Sequence, residues 1–331
     1  MSLSALCLLT MCAAVARPAS VVTTGAVSLT LRDGAIVGLT NRLTGEQLAA
    51  PPRDWQPLAN VYLTRERSYV SSSGQVTTSR TGVGGRAGLR TTITWPDKGT
   101  LVTACVPDGQ GFRIQQSAAT KETGLYAASL GIARVPDGVR LLVPATSGQC
   151  FDSRAPWLTH VFDYPIAWEA PFVILQGQRG GVLIHAKDPR LRPKTIVVQR
   201  TAEGFRVRLE SRNEAPFDSA NRLEGIPWHI VAYRGNWQVG TAIYRDWAER
   251  AYGLRPLRLK RPRWAADIRL VVIMPIDREV LRMLSRHVNP RQTLLYVPDW
   301  RRDGYDRNYP DYTARPEFGP FVQEAHRLGF R

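Results

Sequence analysis

The stretch Val27-Ser28-Leu29-Thr30-Leu31-Arg32-Asp33-Gly34-Ala35-Ile36-Val37-Gly38-Leu39 decides how most of the chain is built. Val27, Leu29 and Leu31 alternate with polar residues, the period of a strand with one face in a core. Asp33-Gly34 then interrupts, and an apolar run resumes at Ala35. An Asp-Gly pair between two such runs is the strongest short-range hairpin signal, because a two-residue turn of the right twist needs positive φ at both positions. Asn41 and Gly45 bracket a further turn. Outward from this hairpin the same grammar repeats. Strands are expected at 90–95, 101–105, 112–117, 125–135, 139–143, 172–176, 181–185, 195–200, 205–209 and 228–233, most of them short and separated by Gly, Pro, Asp or Asn. Many short strands without helices between them mean two packed antiparallel sheets or a closed barrel, and over some 200 residues the larger sandwich fits better.

The period then changes. Trp237, Ala242 or Ile243, Trp247 and Ala251 recur at helical spacing, with Gly253 placed to end the helix. A proline-broken basic stretch from Arg255 to Arg263 reads as a linker. Beyond it, 268–274 is a continuous apolar run of the kind expected of a strand buried on both faces. Asp277 opens a helix to His287, 293–297 is a second such strand, and a polar, aromatic loop from Asp299 to Arg315 precedes a helix opened by Pro316 and Glu317. Strand, helix, strand, loop, helix is the order of parallel α/β folds. A third strand is due at Gly329-Phe330-Arg331, where the sequence stops, so it reads as a fragment of a larger α/β domain.

Composition excludes several classes. The formal charge is +16, but only five of the 44 basic residues are Lys, and the Arg residues run along the whole length rather than gathering on one patch. Nucleic acid is therefore not the expected partner. No apolar run reaches the roughly 18 residues of a membrane span. Residues 1–17 read as a signal peptide, apolar from Leu3 to Ala16 and ending in Ala14-Val15-Ala16, although no Lys or Arg precedes the apolar run. The expected location is secreted or periplasmic, with no membrane attachment after removal of the leader. Cys7 and Cys12 would leave with it, and Cys105 and Cys150 remain as a candidate disulfide or as buried thiols. The five histidines are scattered, and no Cys-x-x-Cys or His-x-x-x-His spacing points to a metal. No cofactor is expected. Gly82–Gly85 lacks the Lys-Ser/Thr of a phosphate loop, and no Gly-x-Ser-x-Gly elbow is present.

The segment 31–48 resembles the first hairpins of the galactose-mutarotase-like supersandwich that precedes the catalytic barrel in several glycoside hydrolase groups. The stretch 235–247 is similar to the helix leading from such a sandwich into its barrel, and Tyr305–Tyr312 with 318–329 to the loop and helix after the second barrel strand. α-Galactosidase-like and endo-α-N-acetylgalactosaminidase-like barrels are the nearest relatives suggested. The expected fold is mainly β: a large antiparallel β-supersandwich (20–234), a connecting helix and linker (235–263), then the first two β/α units of a truncated TIM-type barrel (264–331). The resemblance implies glycoside hydrolysis by paired carboxylates. It places that pair on barrel strands beyond Arg331, so no residue here receives the catalytic role.

What remains is the first part of a rim. Asp299 and Trp300 follow the second strand, with Asp303, Tyr305 and Asp306 behind them. Carboxylates accept sugar hydroxyls and an indole covers the C–H face of a sugar, so Asp299, Trp300, Asp303 and Asp306 are the substrate-binding candidates for an oligo- or polysaccharide. Each also has a plainer reading, as loop or packing residue, and Asp277 reads first as a helix N-cap. In the sandwich, Trp157, His160, Asp163, Tyr164 and Trp168 form an aromatic cluster that suits glycan contact or core packing. His185 lies on an apolar strand and reads as a core histidine with its hydrogen bonds met. Two functions stay open: an exported glycoside hydrolase seen in its N-terminal portion, with the fragment inactive, or a non-catalytic carbohydrate-binding or scaffold protein.

Overall fold

The computed structural model describes residues 18–83, 86–254 and 261–331. The leader (1–17) and most of the basic linker (255–260) lie outside the described residues. The chain divides into two units after Gly253.

Two ten-stranded sheets make the first unit. One runs in spatial order Ser20–Thr23, Val27–Arg32, Ala35–Asn41, Leu125–Val135, Gly204–Arg212, Lys194–Thr201, Thr159–Tyr164, with three short strands attached at its side. The other runs Gln149–Phe151, Arg140–Val143, Phe172–Gln176, Gly180–Ala186, Trp228–Arg234, Gly111–Thr120, Gly99–Asp108, Arg86–Trp95, Gln75–Val83, with Arg222–Glu224 alongside. All pairings are antiparallel except the bridge between Ile132 and Ile36. The opening hairpin forms as its sequence requires: Asp33 and Gly34 take φ of 48° and 76°, and Leu29 pairs with Leu39.

Alternation fills the space between the sheets. Val27, Leu29 and Leu31 from one sheet and Val182, Ile184 and Trp228 from the other belong to one core cluster. Trp168 and Trp228 lie near-parallel at its centre, 6.1 Å apart, and the Trp168 indole N–H donates to the Phe172 carbonyl at 3.1 Å. Trp168 is thus a core residue, whereas Trp157 from the same aromatic cluster is exposed. Buried Asn41 ties the sheets together. Its amide donates to the carbonyls of Gly181 (3.0 Å) and Tyr233 (2.8 Å) across the sandwich, so a buried polar group is satisfied where it fixes the stacking.

Cys105 and Cys150 are unbonded. Their strands lie at opposite parts of the second sheet with five strands between them. At about 4.8 Å per strand that is on the order of 29 Å, far beyond the roughly 7 Å a disulfide tolerates. Burial pushes the Cys105 thiol up to about 12, which leaves it inert; Cys150 is exposed.

Helix α1 (Trp237–Ala251) closes the first unit and packs on the outer face of the second sheet. Gly240 is buried there, and a Cβ on it would sit 2.7 Å from Tyr233. A larger residue would therefore push the helix off the sheet.

The second unit is two β/α repeats. The strands Leu270–Ile273 and Thr293–Tyr296 pair in parallel, Leu270 against Thr293. Each is followed by a helix, α2 (Arg278–His287) and α3 (Phe318–Leu328). Met274, Leu281, Phe321, Ala325 and Phe330 form its core. Glu324 is a buried charge here, held by Arg278 and Arg282 of α2. Their hydrogen bonds push its carboxyl down to about 2. Gly329 ends α3 in the left-handed conformation, with φ 97°. One expectation fails: the first strand is not buried on both faces. Leu270, Val271 and Ile273 are exposed, because α2 and α3 cover only one side of a two-stranded sheet.

Candidate functional site

Both parallel strands deliver their chains to the same end of the small sheet. After the first strand comes Asp277. Its Oδ1 accepts from the backbone N–H of Glu279 (2.8 Å) and Val280 (3.0 Å), so this carboxylate caps α2.

After the second strand the chain enters the long loop. Asp299, Arg302, Asp303, Gly304, Tyr305, Arg307 and Arg315 line an open concavity of about 410 Å³. Asp299 is held by Arg315, whose guanidinium donates to Oδ2 at 2.7 Å and to the Arg301 carbonyl at 3.1 Å. Its other oxygen lies beside Gly304, where a Cβ would come within 3.4 Å. Gly304 has φ 88°, which turns the loop back and leaves that oxygen clear of a side chain. Asp303 accepts from the Asn308 amide at 2.8 Å and pairs with Arg302 at 3.6 Å. Arg302 also donates to Asp311 at 2.6 Å. Hydrogen bonds from Thr313 and the charge of Arg302 hold the Asp311 carboxyl below its usual range. A hydrogen bond with Tyr296 and the charge of Asp306 hold the Tyr305 phenol above its own.

Beneath the loop is Arg301, buried with its guanidinium 4.3 Å from the Tyr309 ring centroid and 5.6 Å from that of Tyr312. Such stacking fixes an otherwise irregular segment without regular backbone pairing. Only the bridge between Arg301 and Ala314 supplies strand-like pairing across it.

Of the four sequence candidates, Asp299 and Asp303 are on the lining and Trp300 and Asp306 are not. Trp300 packs against Phe318 at the start of α3, ring centroids 5.6 Å apart. The indole is half-buried there. Asp306 is exposed at a turn position with φ 56°. Sequence reasoning passed over Arg302, Arg307 and Arg315. In a chain so rich in Arg they carry no contrast, and the only available signal was their alternation with the loop carboxylates. The lining thus holds two carboxylates and three guanidiniums, a set that donates to and accepts from hydroxyls. Among the described residues no cluster of three His, Cys, Asp or Glu side chains is placed to hold a metal. No helix among them is long and apolar enough to cross a membrane.

No protein-family model matches the sequence. No curated protein matches it either. Among solved structures the chain is similar to the α-N-acetylgalactosaminidase NagBb of Bifidobacterium bifidum. With N-acetylgalactosamine bound, that enzyme superposes with a TM-score of 0.67 at 11% identity, covering 94% of this chain and 58% of its own. Its ligand-free form gives 0.67 at 14% identity, with 94% and 58% covered. At such identity no residue's role passes from one chain to the other. The likeness establishes the architecture: over 94% of its length this chain has the fold of that bifidobacterial α-N-acetylgalactosaminidase, and it spans 58% of the enzyme's length.

Proposed function

We propose that the protein acts on glycans as a glycoside hydrolase-like protein, with the loop 299–315 as part of its sugar-binding rim. The observation that carries this reading is the concavity in the loop beyond the carboxyl end of the second parallel strand, lined by Asp299, Asp303, Tyr305 and three arginines. In parallel α/β folds ligands are bound at that end, because the loops there point away from the sheet and share one opening. The fold shared with a glycosidase supports the choice of a sugar over other polar ligands. Alternating carboxylates and guanidiniums suit a ring of hydroxyls, each of which both donates and accepts.

The 331 residues alone bind sugar without hydrolysing it. Glycoside hydrolysis needs two carboxyl groups flanking the scissile bond, and two strands do not close a barrel that would face one carboxylate with another. Export through the apolar leader, to a secreted or periplasmic location, belongs to the same reading.

The test is a titration of the purified chain with N-acetylgalactosamine and with galactose, followed by calorimetry and by saturation-transfer NMR. Binding in the millimolar range, weakened at least tenfold by the Asp299→Asn, Asp303→Asn double variant, is expected, with no release of nitrophenol from aryl-α-glycosides. Binding that the double variant leaves unchanged would remove the loop from the reading. Turnover of the aryl-glycoside would refute the proposed inactivity.

A further inference from the structure

His185 is fully buried under α1, and neither of its ring nitrogens has a protein hydrogen-bond partner. A core histidine with its bonds met was the expectation, and this one is unmet. It stands on the outer face of the strand Gly180–Ala186, with inner-face neighbours Ile184 and Ala186 in the sandwich core. Above it lie Tyr244 and Trp247 of α1, ring centroids 6.0 and 5.8 Å away. Beside it on the next strand is His229, 5.8 Å away, whose Nδ1 is 2.6 Å from Asp108. Its other strand neighbour is Phe172, which packs on Tyr244. Lys187 follows two residues later and pairs with Asp108 at 3.6 Å. The far end of the helix is pinned separately, where the Tyr252 hydroxyl donates to the Asp188 carbonyl at 3.2 Å.

A phenylalanine or leucine would fill this position with no polar atom to satisfy. The imidazole makes the contact conditional on charge, because a proton arriving here finds no acceptor, a cation in Lys187, and a second imidazole, His229, whose own protonation burial disfavours. Asp108, the one carboxylate among the groups facing it, is already engaged by both of them.

We propose that His185 is an acid-sensitive latch: its neutral ring keeps α1 docked on the sandwich, and its protonation releases the helix. Burial, reinforced by His229 and Lys187, pushes the imidazole down to about 3 in the docked state. Once α1 lifts, the ring returns towards about 6.5. The docked pKa is the lower one, so docking is at full strength above about pH 6.5 and weakens as pH falls from there through 3. One proton is taken up on opening, which makes the docking equilibrium fall about tenfold per pH unit within that window.

Hydrogen exchange read by mass spectrometry at pH 7, 5.5 and 4.5 tests this. Protection of the 237–251 amides, normalised to intrinsic rates, is expected to fall about tenfold per unit, while the strand Lys194–Thr201 keeps its protection. His185→Phe is expected to abolish the slope, and His229→Gln to preserve it. A slope that survives in His185→Phe, or that vanishes only in His229→Gln, overturns the assignment. Should His185→Phe fail to fold, imidazole NMR of the wild-type chain decides. One of its five histidines must stay neutral below pH 4.5; five rings all titrating between pH 6 and 7 would reject the latch.

Discussion

In the strand Val27–Arg32 every second residue is buried, whereas in the strand Leu270–Ile273 three of four residues are exposed. Yet the second strand is the more apolar of the two, Leu-Val-Val-Ile against Val-Ser-Leu-Thr-Leu-Arg. What separates them is cover. Val27, Leu29 and Leu31 face a second ten-stranded sheet across the sandwich. The pair Leu270–Ile273 and Thr293–Tyr296 has α2 and α3 on one side, and on its other side Val271 and Ile273 remain 56% and 68% exposed. Hydrophobic stabilisation follows the area removed from water, so one residue type counts heavily in the first region and little in the second.

The largest effect this contrast predicts is in the sandwich. Trp228 is 1% exposed and stacks on Trp168. Trp228→Ala is expected to cost about 3–5 kcal/mol, read from urea unfolding followed by circular dichroism. A loss under about 1 kcal/mol, the size of an ordinary single substitution, would mean that the two sheets are not packed as tightly as their burial implies. The contrast with the second unit would then lose its first half.

An intermediate effect is expected where the second unit depends on a polar contact instead of on area. Asp277 bonds two of the backbone N–H groups that open α2. Asp277→Ala should lower the protection of residues 278–287 by about 1 kcal/mol, and Asp277→Asn should restore most of it. If neither variant changes that protection, the carboxylate is not chiefly a cap. Its place at a strand's carboxyl end would then count towards the rim.

The same contrast explains what was legible beforehand. Interior strands showed themselves: Leu125–Val135 and Phe172–Gln176 lie where their apolar patterns put them. Strands at the ends of the sheets did not, Gln75–Val83 and Thr159–Tyr164 among them. The first reads Gln-Val-Thr-Thr-Ser-Arg-Thr-Gly-Val, polar on both faces, because an unpaired edge is kept from aggregating by polar side chains. Periodicity is silent there by design. In the second unit strand, helix and cap were legible in order, but the burial of Leu270–Ile273 was misjudged, because a run of apolar residues reports a capacity for burial and not the layer that provides it. The loop was half legible. Asp299 and Asp303, chosen for their position after a strand, line the concavity. The packing of Trp300 on Phe318, eighteen residues further on, leaves no local trace in the sequence.

The smallest effect tests that point directly. Ile273→Thr keeps a β-branched side chain suited to the strand and replaces the ethyl branch by a hydroxyl. At a buried position that hydroxyl would cost 1 kcal/mol or more, about the desolvation penalty of an unpaired polar group. At a side chain 68% exposed water satisfies it, and the change should stay within about 0.5 kcal/mol. Protection of the 293–296 amides, bonded to the same strand, reads the outcome without interference from the sandwich. A near-neutral result keeps cover, not composition, as the difference between the two regions. A loss well above 1 kcal/mol would show that Ile273 is covered in solution, and dynamic light scattering of the two proteins would then tell whether a second molecule supplies that cover.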